Sequence, residues 1–167
     1  GYGYYCVGRS DDAIVSIRRA LVLSPGLVSA HYLLGASLLQ KGDKDAALKA
    51  TQEESSEPWR MIGLVTVYHA MGRRTESDLV LEQLIQKYGQ DWPYNIAYTL
   101  AFRNEADRAF DWLNQAVQRK DTGVSEIPVN PLFANIHSDQ RWLPFLRSIG
   151  DAPEQLDAIK FDVKLPQ

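Results

Sequence analysis

Few side chains in this sequence combine a type and a spacing that could support chemistry. The three histidines, His31, His69 and His137, lie far apart, and none stands about three to five residues from another histidine or cysteine, as a zinc site usually requires. Cys6 is the only cysteine, so it has no disulfide partner, and no neighbouring residue in the sequence would act as its base. The sequence therefore predicts neither a metal site nor a cysteine nucleophile.

Acidic pairs are the remaining candidates for acid–base chemistry. Asp11-Asp12 and Glu53-Glu54 stand at the ends of expected helices, where carboxylates usually face solvent or complement the helix dipole. The opening Gly1-Tyr2-Gly3 lacks the following Lys-Ser/Thr pair of a phosphate-binding loop. We therefore expect no catalytic residue, no cofactor and no metal, and a protein that is not an enzyme.

An internal repeat defines the elements that would position these and other side chains. Four segments share a register, with turn residues spaced 34, 30 and 32 positions apart. These turn residues are Gly8, Gly42, Gly72 and Asn104. A small residue follows five places later in each segment, at Ala13, Ala47, Ser77 and Ala109. Four places further on stand Ile17, Thr51, Leu81 and Leu113.

Each repeated position has a physical meaning. A glycine or asparagine after a helix can adopt the left-handed conformation that ends it. The small residue lets two antiparallel helices approach closely, and the apolar residues give the second helix one buried face. Each unit is thus predicted to be a helical hairpin that must stack on its neighbours. The residues predicted to cap the second helices are Ser10, Asp43, Thr75 and Asn104.

This pattern resembles the tetratricopeptide repeat (TPR), which runs W-x2-L-G-x2-Y followed by Gly, Ala, Phe, Ala and Pro. Val65 and Ala97 replace the glycine of the first helix in the later, more degenerate copies. The matching residues in the first two copies are Gly1, Tyr4, Gly8, Ala13, Ala20, Pro25, Leu34, Gly35, Gly42 and Ala47. The resemblance covers residues 1–120 and implies an all-α right-handed superhelix of about three and a half repeats, the first of them truncated.

The first helices of such an array line its concave side, and the resemblance implies a ligand groove there. Tyrosine suits such a groove because it offers a large contact area, little rotamer entropy and a hydrogen-bonding tip. The groove residues implied in this way are Tyr2, Tyr5, Tyr32, Leu39, Ile62, Thr66, His69, Tyr94 and Tyr98. The expected function is a non-enzymatic scaffold that binds a protein or peptide segment in this Tyr-rich groove. The alternative for each ring is packing between adjacent first helices.

The repeat stops near residue 120, and a different segment follows. Residues 121–130 are predicted to be an extended connector, and residues 131–136 a short helical turn. Ser138 is predicted to cap the next helix, in which Pro144 indicates a late start or a kink. We expect residues 121–167 to cap the last repeat within the same domain.

The C-terminal part resembles the end of TPR blocks in bacterial signalling proteins, where the block follows a cyclase domain or a winged-helix DNA-binding domain. This resemblance implies an alternative function, a regulatory or dimerising domain that acts in cis within a larger protein or forms a homodimer. The net charge of −3, with dispersed Lys and Arg, argues against nucleic acid as a partner. No apolar run reaches the roughly 18 residues of a membrane span. The expected compartment is the cytoplasm, with the periplasm left open.

Overall fold

The computed structural model describes residues 1–160, and this part of the chain is built of helices without strands. The all-α prediction is therefore confirmed for these residues. The α-helices are α1 (Tyr2–Cys6), α2 (Ser10–Leu23), α3 (Ala30–Gln40), α4 (Lys44–Gln52), α5 (Glu57–Ala70), α6 (Arg74–Tyr88), α7 (Pro93–Phe102), α8 (Ala106–Gln118), α9 (Trp142–Ile149) and α10 (Pro153–Asp157). Two 3₁₀ helices, Thr122–Glu126 and Pro131–Ile136, lie between α8 and α9.

Consecutive helices pack as hairpins. The most extensive contacts join α3 to α4, α5 to α6 and α7 to α8, and α1 packs on α2. The odd-numbered helices of successive hairpins also contact one another, α3 with α5 and α5 with α7. The described chain is therefore a stack of helical hairpins in which α1, α3, α5 and α7 occupy the corresponding position.

The four repeat turns contain residues in the left-handed region, as the sequence predicted. Their φ angles are 73° at Gly8, 88° at Gly42, 77° at Gly72 and 61° at Asn104. A Cβ atom at any of the three glycines would meet no other atom within 4 Å, so positive φ, rather than space, is the reason for glycine. Asparagine tolerates this conformation better than most residues with a side chain.

The turn geometry also places the N-caps, and three of the four predicted caps are wrong. In every hairpin the residue directly after the left-handed residue is the N-cap. These residues are Arg9, Asp43, Arg73 and Glu105. Only Asp43 bonds as predicted, since its side chain accepts a hydrogen bond from the Ala46 N–H. Ser10 and Thr75 lie inside their helices, and Asn104 forms the turn instead.

The helices α3, α4 and α5 approach closely at two glycines. A Cβ atom on Gly35 would lie 2.3 Å from Oγ1 of Thr51, and one on Gly63 would lie 2.6 Å from Cγ2 of the same residue. Thr51 is fully buried between these helices. Gly35 therefore sets the spacing within the second hairpin, between α3 and α4, and Gly63 sets the spacing between the second and third hairpins.

Residues 121–136 depart from the predicted extended connector. Residues 122–126 form a 3₁₀ helix because the side chain of Asp121 accepts a hydrogen bond from the Gly123 N–H and closes the first turn. The predicted helical turn at residues 131–136 is confirmed as the second 3₁₀ helix. Both 3₁₀ helices contact α7.

The predicted cap of the next helix is also wrong. Helix α9 begins at Trp142 after Arg141, not after Ser138, because Asp139 accepts a hydrogen bond from the Arg141 N–H and forms a turn first. Pro144 therefore stands in the first turn, which is the predicted late start. The last part of the predicted cap, residues 161–167, lies outside the described residues.

Candidate functional site

The predicted groove residues converge on the side of the stack formed by α1, α3, α5 and α7. Seven of the nine line two adjacent pockets on this inner face. Those seven are Tyr2, Tyr5, Tyr32, Leu39, Thr66, Tyr94 and Tyr98. Tyr5 and Tyr32 line both pockets and therefore form the wall between them.

Four buried tyrosines form the centre of the inner face. The Tyr32 hydroxyl donates to the Tyr98 hydroxyl at 3.3 Å, and Asn95 Nδ2 donates to the same Tyr98 oxygen at 2.9 Å. The Tyr94 and Tyr98 rings meet edge to face, with centroids 5.2 Å apart. Burial raises the pKa of Tyr5, Tyr32, Tyr94 and Tyr98 well above the usual range. These hydroxyls therefore stay protonated and act as hydrogen-bonding groups, not as bases.

The chain's own residues 121–136 cover the middle of this face. Asn130 Nδ2 donates to the Tyr94 hydroxyl at 2.8 Å, and the Tyr2 hydroxyl donates to Oε2 of Glu126 at 2.7 Å. Gly123 lies against the Tyr94 ring so closely that a Cβ atom there would be 2.1 Å from Cδ1. The Phe133 ring packs 6.0 Å from that of Tyr94. This segment also contributes to the pockets themselves. Glu126 and Asn130 line the first pocket. Pro131 and Leu132 line the second.

Two of the predicted groove residues, Ile62 and His69, line neither pocket, and Thr66 is buried. Ile62 is fully buried and lines neither pocket, so it is a packing residue. His69 also lies outside both pockets, where its ring meets that of Phe102 edge-on at 6.0 Å. Burial, followed by the charges of Arg103 and Arg74, lowers the pKa of His69, so the ring is neutral at pH 7. Thr66 is buried and donates its hydroxyl to the Gly63 carbonyl at 2.9 Å.

We call the first pocket the tyrosine pocket; it has a volume of about 190 Å³. Its lining is Tyr2, Tyr5, Ser29, Tyr32, Leu33, Trp59, Tyr94, Asn95, Tyr98, Glu126 and Asn130. The Trp59 ring lies 5.0 Å from the ring of Tyr32 and 5.0 Å from that of Trp92. Trp59 is not among the predicted groove residues, although it stands one helical turn before Ile62 on α5. No local signal pointed to Glu126 or Asn130.

We call the second pocket the apolar pocket; it has a volume of about 230 Å³. Its lining is Tyr5, Tyr32, Ala36, Leu39, Gln40, Lys44, Thr66, Ala70, Phe102, Pro131 and Leu132. Lys44 Nζ donates a hydrogen bond to the Ala70 carbonyl oxygen at 2.5 Å. The remaining lining is mostly apolar and suits an apolar side chain.

The side chains that line these two pockets form hydrogen bonds and apolar contacts. Cys6 lies outside both pockets, and burial raises the pKa of its thiol, so the thiol is protonated at neutral pH. No group of three or more His, Cys, Asp or Glu side chains placed to hold a metal ion occurs within residues 1–160. None of the helices in the described part of the chain is long and apolar enough to cross a membrane.

The fold and the site together define an all-helical array of stacked hairpins with a tyrosine-lined inner face. Comparison of the chain with protein-family models, with curated proteins and with solved structures gave no match.

Proposed function

We propose that the chain is a TPR-type interaction module, which binds a protein or peptide segment on its concave side and has no catalytic activity. In this proposal residues 1–120 wind as a right-handed superhelix, and residues 121–167 cap it. The observation that supports the proposal most strongly is the pair of adjacent pockets that share Tyr5 and Tyr32 as a wall. Two neighbouring side chains of one bound segment would occupy them together.

The size of the pockets favours side chains over a whole small molecule. Their volumes, about 190 and about 230 Å³, are below the roughly 300–1,000 Å³ that is usual for drug-sized ligands. Because residues of the covering segment 121–136 line both pockets, the partner would contact this segment as well as the helices. Affinity would come mainly from the anchors in the pockets.

A selection experiment tests the proposal. Peptides are selected from a phage-displayed library on the immobilised chain, and one selected peptide is measured by fluorescence anisotropy. Leu39→Lys, which puts a charge into the apolar pocket, is expected to weaken binding by about tenfold or more. Leu79→Lys is the matched control, because Leu79 is exposed on α6 and lines neither pocket. Failure to select any peptide, or equal binding by both variants, would contradict the proposal.

A second candidate, a dimerising domain acting within a larger signalling protein, is supported by an exposed apolar patch. Val22 is 81% and Leu23 86% exposed at the end of α2, and Leu27 and Val28 in the following turn are also exposed. Apolar side chains grouped on a surface commonly mark an interface between proteins. In this case sedimentation velocity is expected to show a dimer that Leu23→Glu converts to a monomer. A monomer at every concentration would rule out the self-association.

A further inference from the structure

The tyrosine pocket adjoins a shallow depression of about 380 Å³, which we call the acidic depression. The two share Trp59, Tyr94, Asn95 and Glu126 in their linings. The acidic depression adds Asp91, Trp92, Asp121, Thr122 and Gly123. Neither lining contains a lysine, an arginine or a histidine from residues 1–160.

Three carboxylates therefore face this region without a basic neighbour in the lining. Among the ion pairs within residues 1–160, none involves Asp91, Asp121 or Glu126. The hydrogen bonds to Asp121 and Glu126 come from neutral donors: the Tyr94 and Gly123 N–H groups reach Asp121 at 3.2 and 2.9 Å, and the Tyr2 hydroxyl reaches Glu126 at 2.7 Å. Neutral donors orient these two carboxylates but leave their negative charge uncompensated. An anionic ligand would be repelled.

The aromatic lining points to the same ligand charge. Five tyrosines and Trp59 surround the tyrosine pocket, and the face of an aromatic ring attracts a cation within about 6 Å of its centre. Indole is the best such ring. Trp59 lines both the pocket and the depression, and Trp92, whose ring lies 5.0 Å from that of Trp59, lines the depression. A cavity lined by aromatic rings and one carboxylate is suited to a cation carried on an alkyl stem.

We propose that the tyrosine pocket binds the cationic side chain of a basic peptide, either arginine or lysine, with Glu126 as its charge partner. The pocket volume of about 190 Å³ fits one such side chain. The carboxylates of the acidic depression attract the basic residues that flank this side chain in the peptide. The cation pocket specifies which kind of peptide the proposed interaction module binds, and it rests on that proposed function.

The test uses defined probes. A fluorescein-labelled acetyl-Gly-Arg-Gly-Arg-Gly peptide is compared by anisotropy with the same peptide containing citrulline, which has nearly the same shape but no charge. The same peptide with lysine in place of arginine tests whether an ammonium group binds as well as a guanidinium group. Tetramethylammonium is added as a competitor and represents a free organic cation. The arginine peptide is expected to bind about tenfold or more tightly than the citrulline peptide, and to weaken as salt is added.

Glu126→Gln is the informative variant, because the amide oxygen can still accept the Tyr2 hydroxyl while the charge is lost. It is expected to weaken the arginine peptide by about tenfold. Asp111→Asn removes one carboxylate from an exposed position on α8 outside all these linings, so it is expected to change affinity by less than about twofold.

The possible outcomes separate the two proposals. Equal affinity for the arginine and citrulline peptides, or a Glu126→Gln variant that binds like the wild type, would overturn the cation pocket. Library peptides that lose affinity on Leu39→Lys would still support the interaction module in that case. Binding of tetramethylammonium without binding of any peptide would overturn both proposals in favour of a free organic cation.

Discussion

Replacing Glu54 with alanine is expected to lower the free energy of unfolding by about 3 kcal/mol. Glu54 is only 1% exposed, and its carboxylate accepts the Tyr32 N–H at 3.2 Å and the Ser56 N–H at 3.0 Å. Tyr32 stands in the first turn of α3, whose N-cap Ser29 makes no side-chain cap bond. Glu54 therefore caps α3 from the α4–α5 turn. Each hydrogen bond to a charged group contributes roughly 1.5–3 kcal/mol.

Urea unfolding followed by circular dichroism measures this effect, and the neighbouring glutamate provides the control. The Glu53 side chain is 51% exposed and makes one contact of 3.4 Å with Nδ1 of His31. Glu53→Ala is therefore expected to cost less than about 1 kcal/mol. Glu54→Gln, which can still accept hydrogen bonds through its amide oxygen, is expected to fall between the two. If Glu54→Ala were no less stable than Glu53→Ala, the capping role would be wrong.

Replacing Gly35 with alanine is expected to destabilise the fold by about 2 kcal/mol, since overpacking a core costs about 1–3 kcal/mol. The new Cβ atom would lie 2.3 Å from Oγ1 of Thr51 and 3.0 Å from the Ala47 carbonyl oxygen. Alanine favours the helical state by up to about 1 kcal/mol, which offsets only part of this strain. Helices α3 and α4 would have to move apart, and urea unfolding reports the cost.

Two further variants identify the cause of the destabilisation. Gly3→Ala is the matched control, because a Cβ atom on this residue of α1 would meet nothing within 4 Å. It is expected to leave the stability unchanged or to raise it by up to about 1 kcal/mol. Adding Thr51→Ala to Gly35→Ala removes the nearest clashing atom. The double variant is therefore expected to be more stable than the sum of the single changes allows. Strict additivity would show that Thr51 is not the contact that excludes a side chain at residue 35.

The hairpins could be predicted from the sequence because their signals are local. A left-handed residue is required wherever the second helix follows the first after a short turn, and Gly8, Gly42, Gly72 and Asn104 all have positive φ. The caps were mispredicted because favourable residue types at Ser10 and Thr75 suggested a later start. The turn geometry decides the position instead, whatever residue stands there.

The site was predictable only in part. The resemblance to the TPR pattern implied that Tyr2, Tyr32 and Tyr98 share one face, and all three line the tyrosine pocket. The cover formed by residues 121–136 was missed, because it depends on contacts between distant segments, such as the Tyr2–Glu126 hydrogen bond across 124 positions. Nothing near Gly123 in the sequence indicates that it fits against the Tyr94 ring.

Peptide binding on the inner face of the stack can be measured by chemical-shift mapping with ¹⁵N-labelled chain and one library-selected peptide. We expect the largest shifts at Leu39 and at the Trp59 and Trp92 indole N–H groups, which adjoin the pockets. Shifts confined to α2, α4, α6 and α8, with these groups unchanged, would contradict binding on the inner face.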